Sequence, residues 1–282
     1  MLNALSAGGL SADWLVTVAL LSIRIGAVLL FSPLLAAVNV PGPVRLLIVF
    51  GLSMGLAPAA VGTGAVAADA SVLRATDAAH GNRVFGLILS EMAFGAALAV
   101  AVHLAFAVFS LAGRILDIQI GFGLAQVFDP STNAVVPVLT TIFNQAAVIV
   151  FFMVDGHHML LRGIAYSLQR FPLGAPWSVD IAAGPILAQA AQMLDLAFSL
   201  VAPIVFCILI VEFALALLSR SVPQMHMLTM GLPVKILIGL AVLSFWIAGN
   251  GAAMLRIYGT LYHSWDEWFG AVGAEGGLHG RR

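Results

Sequence analysis

Three long stretches of this chain, 46–68, 131–154 and 236–255, contain no Asp, Glu, Lys or Arg. The hydrocarbon core of a bilayer takes about 20 helical residues to cross, and each stretch reaches that length. Three more runs carry one such charge each: Arg24 in 14–44, Glu91 in 84–113 and Asp195 in 181–211. Across 282 residues, 61% are apolar and only 9% charged, whereas soluble domains carry about 25% charged residues. A water-soluble fold would lack the charge to cover its surface. In lipid the backbone must satisfy its own hydrogen bonds, which for long apolar runs means helices. The expected fold is therefore all-α: a polytopic, multi-pass membrane protein of about six hydrophobic segments.

A net charge of −1 with no basic stripe gives no reason to expect a nucleic-acid partner. Cys207 is the only cysteine, so no intramolecular disulfide forms, and its apolar setting predicts a buried thiol. The N-terminus has no positively charged start, and its first apolar run is too long for a signal peptide, so that run is expected to be retained. The connections fall at 36–45, 69–83, 113–133, 162–180 and 219–235, and no internal repeat is visible. Lys and Arg number seven in 69–83, 162–180 and the C-terminal end, against four in the other three connections. The positive-inside rule then mildly favours both termini in the cytoplasm. The stretch YGTLYHSWDEWF (258–269) alternates aromatic and polar residues, a mix suited to the water–lipid interface or to a partner. The closing GGLHGRR is expected to be disordered.

Few motifs point to chemistry. Asp155, His157 and His158 end the fourth apolar run with three possible metal ligands. Adjacent helical residues point about 100° apart, so the two histidines are not expected to face one ion, and a polar helix terminus is the better reading. GLSMG (51–55) matches the serine-hydrolase elbow, which requires a strand before it and a helix after it. Within an uncharged run its Gly-x-x-x-Gly spacing suits helix packing instead. No metal, cofactor or enzymatic activity is expected.

Four charges lie within or at the edge of apolar runs: Arg24, Glu91, Asp195 and Glu212. Each costs at least about 2–3 kcal/mol at the centre of a membrane helix. They are expected to pair with one another or with another subunit, the second being favoured, or else to serve as coupling groups of a secondary transporter. Pro203 is expected to kink its segment. The stretch DIQIGFGLAQVFDP (117–130) is too apolar for a free loop and too rich in glycine for a good helix. Irregular backbone at membrane depth survives only where it is buried or lines a cavity, so it reads equally as a packed re-entrant turn or a movable plug.

Three strings in the same order and register resemble the FliR family of flagellar export-gate proteins. They are AGRILDIQIGFGLAQVFDPST (112–132), DGHHMLLRGIAYSLQRFPLG (155–174) and SRSVPQMHMLTMGLPVKILIGL (219–240). RIGAVLLFSPLL and PGPVRLLIVFGLSMGLAP fit the family's opening, so the likeness covers nearly the whole chain. His226 and Asp155 stand where the family often has Asn. The injectisome counterpart SctT shares much of the pattern, while Gly156-His157-His158 and the Ser167…Pro172-x-Gly174 ending favour the flagellar branch.

The resemblance implies a structural subunit of the flagellar type III export gate in the bacterial inner membrane, at the flagellar basal body. It implies a FliP-like helical part at 1–176, including a gate loop, fused to a FliQ-like helical hairpin and tail at 177–282. The implied partners are FliP-like and FliQ-like subunits, an FlhB-like protein, membrane lipids and unfolded export substrates in transit. It also implies that the gate is lifted largely above the membrane plane. Carried onto this chain, the gate loop is Ile118, Gln119, Ile120, Gly121, Phe122, Gly123 and Leu124. Ile118, Ile120 and Phe122 would form the seal, with Gly121 and Gly123 as hinges.

Overall fold

The computed structural model describes residues 12–33, 40–62, 78–122, 137–174, 179–221, 231–249, 251, 254–260, 262 and 265. Gly123, Leu124, most of the 69–83 connection, His226 and the GGLHGRR tail lie outside the described residues. All regular elements among those described are helices: α1 (Ala12–Phe31), α2 (Gly42–Gly62), α3 (Ala78–Ile120), α4 (Val138–Met153), α5 (Gly156–Arg170), α6 (Val179–Ser221) and α7 (Leu232–Gly249). A further helical stretch covers 254–260. Five helices are long and apolar enough to cross a membrane, with a sixth span if α4 and α5 count as one.

Local chemistry sets the helix ends. α2 opens on Pro41-Gly42-Pro43, and the Pro41 carbonyl accepts from the amides of Val44 and Arg45 at 3.0 and 3.1 Å. Prolines suit a first turn, whose amides have no intrahelical partner. Asp155 takes the left-handed conformation (φ 55°, ψ 31°), which Asp tolerates better than most residues. It thereby ends the helical run at Met153 and seeds α5, its carbonyl accepting from the amides of His158 and Met159 at 2.9 and 3.1 Å.

Two helices exceed the sequence expectation: α3 and α6 are 43 residues each. α3 runs on through 113–120, placed by the sequence in a connection expected to be irregular from 117, and ends only at Ile120. α6 continues through Pro203 without interruption. One missing amide is a local loss, and the apolar residues on either side continue the hydrogen-bond ladder. Cys207 is half-buried rather than in the core.

The helices group into two compact units. The first comprises 1–103, 155–189 and 261–282. In it Gly95 lets α3 approach α1, since a Cβ there would lie 2.6 Å from the Arg24 carbonyl oxygen. Gly163 likewise leaves room for the Trp265 ring, 2.4 Å from where its Cβ would stand. The Tyr262 hydroxyl donates to the Gly156 carbonyl at 2.8 Å, and burial pushes its pKa above the ordinary value.

The second unit comprises 104–154 and 190–260. Its core is an aromatic cluster in which the Tyr258 ring lies 5.4–5.9 Å from those of Phe106, Phe109 and Phe151. Tyr258, expected at an interface, is fully buried. Its hydroxyl has a partner inside, donating to the Ala147 carbonyl at 2.7 Å, which removes the cost of burying it.

Candidate functional site

The last turn of α3 and the two residues after it carry the residues of the expected gate loop that are described. Ile118 is 67% exposed, whereas Ile120 is fully buried. Ile120 sits against Gly239 of α7, where a Cβ would lie 2.9 Å from its Cγ1. Ile120, expected in the seal, is therefore seated on a neighbouring helix, because the notch at Gly239 fits a branched side chain. Gln119 is partly exposed and Phe122 is half-buried. Gly121 has φ 108°, a region costly for any residue with a Cβ, and an added Cβ would lie 2.7 Å from Leu232 Cδ1. Gly121→Ala is expected to lower stability by about 1–3 kcal/mol, read as a shift of the thermal unfolding midpoint. An unchanged midpoint would show that the turn relaxes without strain.

Asp117, not singled out in the sequence, organises this turn. It is 3% exposed. Its Oδ1 accepts from the Leu139 amide at 2.8 Å, and its Oδ2 accepts from the Thr140 amide and Oγ1 at 2.9 and 2.7 Å. α4 begins after Pro137, which offers no side-chain cap, so Asp117 supplies the cap from another helix. The available signal was an acid one turn before a glycine, followed some twenty residues on by a helix start headed by Pro.

The four charges divide. Arg24 and Glu91 are each 2% exposed and pair with each other, Nε to Oε2 at 2.6 Å and Nη2 to Oε1 at 3.1 Å. Arg24 Nη1 also donates to the Phe171 carbonyl at 3.0 Å, and the guanidinium lies 4.5 Å from the centre of the Phe94 ring. Glu91 Oε1 accepts from the Gly174 amide at 2.9 Å. The partner of each is internal, not another subunit. Glu212 pairs with Lys235 of α7. Asp195 is exposed on α6 and has no ion-pair partner among the described residues.

Asp155, His157 and His158 present ligand atoms within 4.8 Å of one another, and the two imidazole rings lie 4.1 Å apart. The expectation that adjacent histidines diverge does not hold in the first turn of α5. What opposes a cation is the helix N-terminus itself, whose free amides present partial positive charge. GLSMG lies inside α2, where Ser53 Oγ donates to the Val49 carbonyl at 2.7 Å, so no nucleophile elbow forms. No atom lies within 4 Å of a Cβ built on Gly51 or Gly55, so the expected glycine packing is not made among the described residues.

Comparison with known proteins gives one consistent result. Residues 15–260 match the family described as Bacterial export proteins, family 1. The flagellar biosynthetic protein FliR of Bacillus subtilis is 32% identical over 56% of this chain, a match spanning 62% of that relative's length. FliR of Aquifex aeolicus is 25% identical over 83% of this chain and 86% of its own. The surface presentation of antigens protein SpaR of Shigella flexneri is 26% identical over 78% of this chain and 80% of its own.

Proposed function

Since the chain belongs to the bacterial export proteins of family 1, we propose that it is a structural, non-enzymatic subunit of the flagellar type III export gate. It forms part of the wall and plug of a channel through which unfolded flagellar proteins cross the inner membrane. The observation that supports a gate built with other subunits is the length of α6. Its apolar stretch, Ala182–Ser221, runs 40 residues with only 22% of its most apolar window buried within the chain. At 1.5 Å per residue that is about 60 Å, about twice the hydrocarbon thickness of a bilayer. Lipid covers at most half of it, and other hydrophobic subunits cover the rest.

FliP-like and FliQ-like subunits are the proposed neighbours, with an FlhB-like protein attached. Residues 1–176 would take the FliP-like place and 177–282 that of a FliQ-like hairpin. Ile118 and Phe122 form this chain's share of the seal, and Ile120 anchors it. The charges support a wall rather than a transporter. Arg24 is held by Glu91 and Glu212 by Lys235, which leaves Asp195 for a partner subunit.

The similarity to SpaR supports one second reading, the injectisome counterpart of the same subunit. Deleting the gene separates the two. The flagellar reading predicts loss of filaments and swimming, with hook and filament subunits retained in the cell. Normal swimming with loss of another secreted set would overturn it in favour of the injectisome.

A further inference from the structure

The hydrogen bonds of Asp117 join the last turn of α3, where the gate loop begins, to the start of α4. Its carboxylate, in the last turn of α3, takes the amides of Leu139 and Thr140 at the start of α4, 22 and 23 residues away. One turn earlier, Gly113 has no room for a side chain, since a Cβ there would lie 2.6 Å from Thr140 Cα. α3 and α4 therefore touch backbone to backbone beneath the carboxylate. On another side Ile120 occupies the Gly239 notch of α7. Everything up to Ile120 is fixed, while Ile118 remains exposed and Phe122 half-exposed.

An ordinary helix cap sits at the residue next to the helix it caps. Here that position is Pro137, which cannot cap, and the acceptor is supplied by the helix that leads into the gate. The same three hydrogen bonds thus complete α4 and tie its start to the last turn of α3. We propose that Asp117 is the positioning residue of the gate, holding the Ile118–Phe122 turn in the place from which it seals. This rests on the gate reading given above. A carboxylate suits the task because hydrogen bonds to a charged acceptor are about twice as strong as neutral ones. It also lies at the positive end of α4, where negative charge is favoured.

The test uses the whole gate complex, in vesicles loaded with a potassium-sensitive dye. Asp117→Asn keeps the size of the side chain but removes its charge and one acceptor. The assembled variant is expected to leak potassium about tenfold faster than the parent, the factor given by about 1.4 kcal/mol of lost preference for the seated turn. Thr140→Val, which loses only the Oγ1 bond, is expected to leak less than Asp117→Asn. An assembled Asp117→Asn complex as tight as the parent would reduce Asp117 to a cap and overturn the proposal.

If Asp117→Asn does not assemble, an Asp117→Cys/Thr140→Cys pair, with Cys207→Ser, replaces the latch by a disulfide. It is expected to be tight when oxidised and to leak on reduction, and equal tightness in both states would overturn the proposal. Deleting Gly121–Leu124 in the same assay separates the two ideas. A leak from the deletion but not from Asp117→Asn sinks only the positioning role, whereas no leak from the deletion sinks the gate reading itself.

Discussion

Glu91→Ala is expected to destabilise the first unit by about 3–5 kcal/mol, the cost of leaving one member of a buried ion pair without its partner. Arg24 is 2% exposed, so no water replaces the lost carboxylate. Its Nη1 would still reach the Phe171 carbonyl, but one neutral acceptor does not balance a full charge. The Gly174 amide would also lose its acceptor, freeing the turn at 171–174 that follows α5. The converse change is the control. Arg24→Met with Glu91→Leu replaces both charges by apolar groups of similar volume, which is often neutral or stabilising. A detergent-solubilised unfolding series should therefore rank the double variant well above Glu91→Ala. Similar loss in both would mean that packing around Phe94 and Phe171, not charge, carries the effect.

Deleting Gly121–Leu124 is expected to leave the complex assembled and make it permeable to small ions. Assembly should survive because the deletion spares Asp117 and the Gly113–Thr140 contact, which join α3 to α4, and Ile120, which seats α3 on α7. Permeability should rise because apolar constrictions exclude ions by dewetting. Removing a barrier of only about 2.8 kcal/mol raises flux about a hundredfold, well above the background of sealed vesicles. Unchanged permeability in a correctly assembled complex would show that this turn is not the plug.

The helical, multi-pass architecture was legible because uncharged runs longer than a bilayer crossing have few other solutions. Helix ends were not, and the reason is visible at Asp117. Read alone, the stretch from Asp117 onward looks too rich in glycine for a good helix. In the fold the Asp117 carboxylate is satisfied by α4, and the helix runs on to Ile120. Tyr258 misled in the same way, since a phenol beside Trp and His looks interfacial until the Ala147 carbonyl inside is known. The ion pair of Arg24 and Glu91, 67 residues apart, left no local trace, because a lone charge in an apolar run looks the same whether its partner is inside the chain or in another subunit. Ile118 and Ile120 differ by two positions in one helical turn, and only the notch at Gly239 distinguishes the anchor from the exposed residue.

Whether this chain is one wall of a larger channel is tested by its mass in mild detergent. Co-expressed with its neighbouring membrane genes, it should run by native mass spectrometry as one discrete complex of several small hydrophobic proteins containing few copies of itself. A stable particle of this chain alone, unchanged by co-expression, would show that it is no subunit of such a complex. The long uncovered face of α6 would then have to be satisfied by lipid.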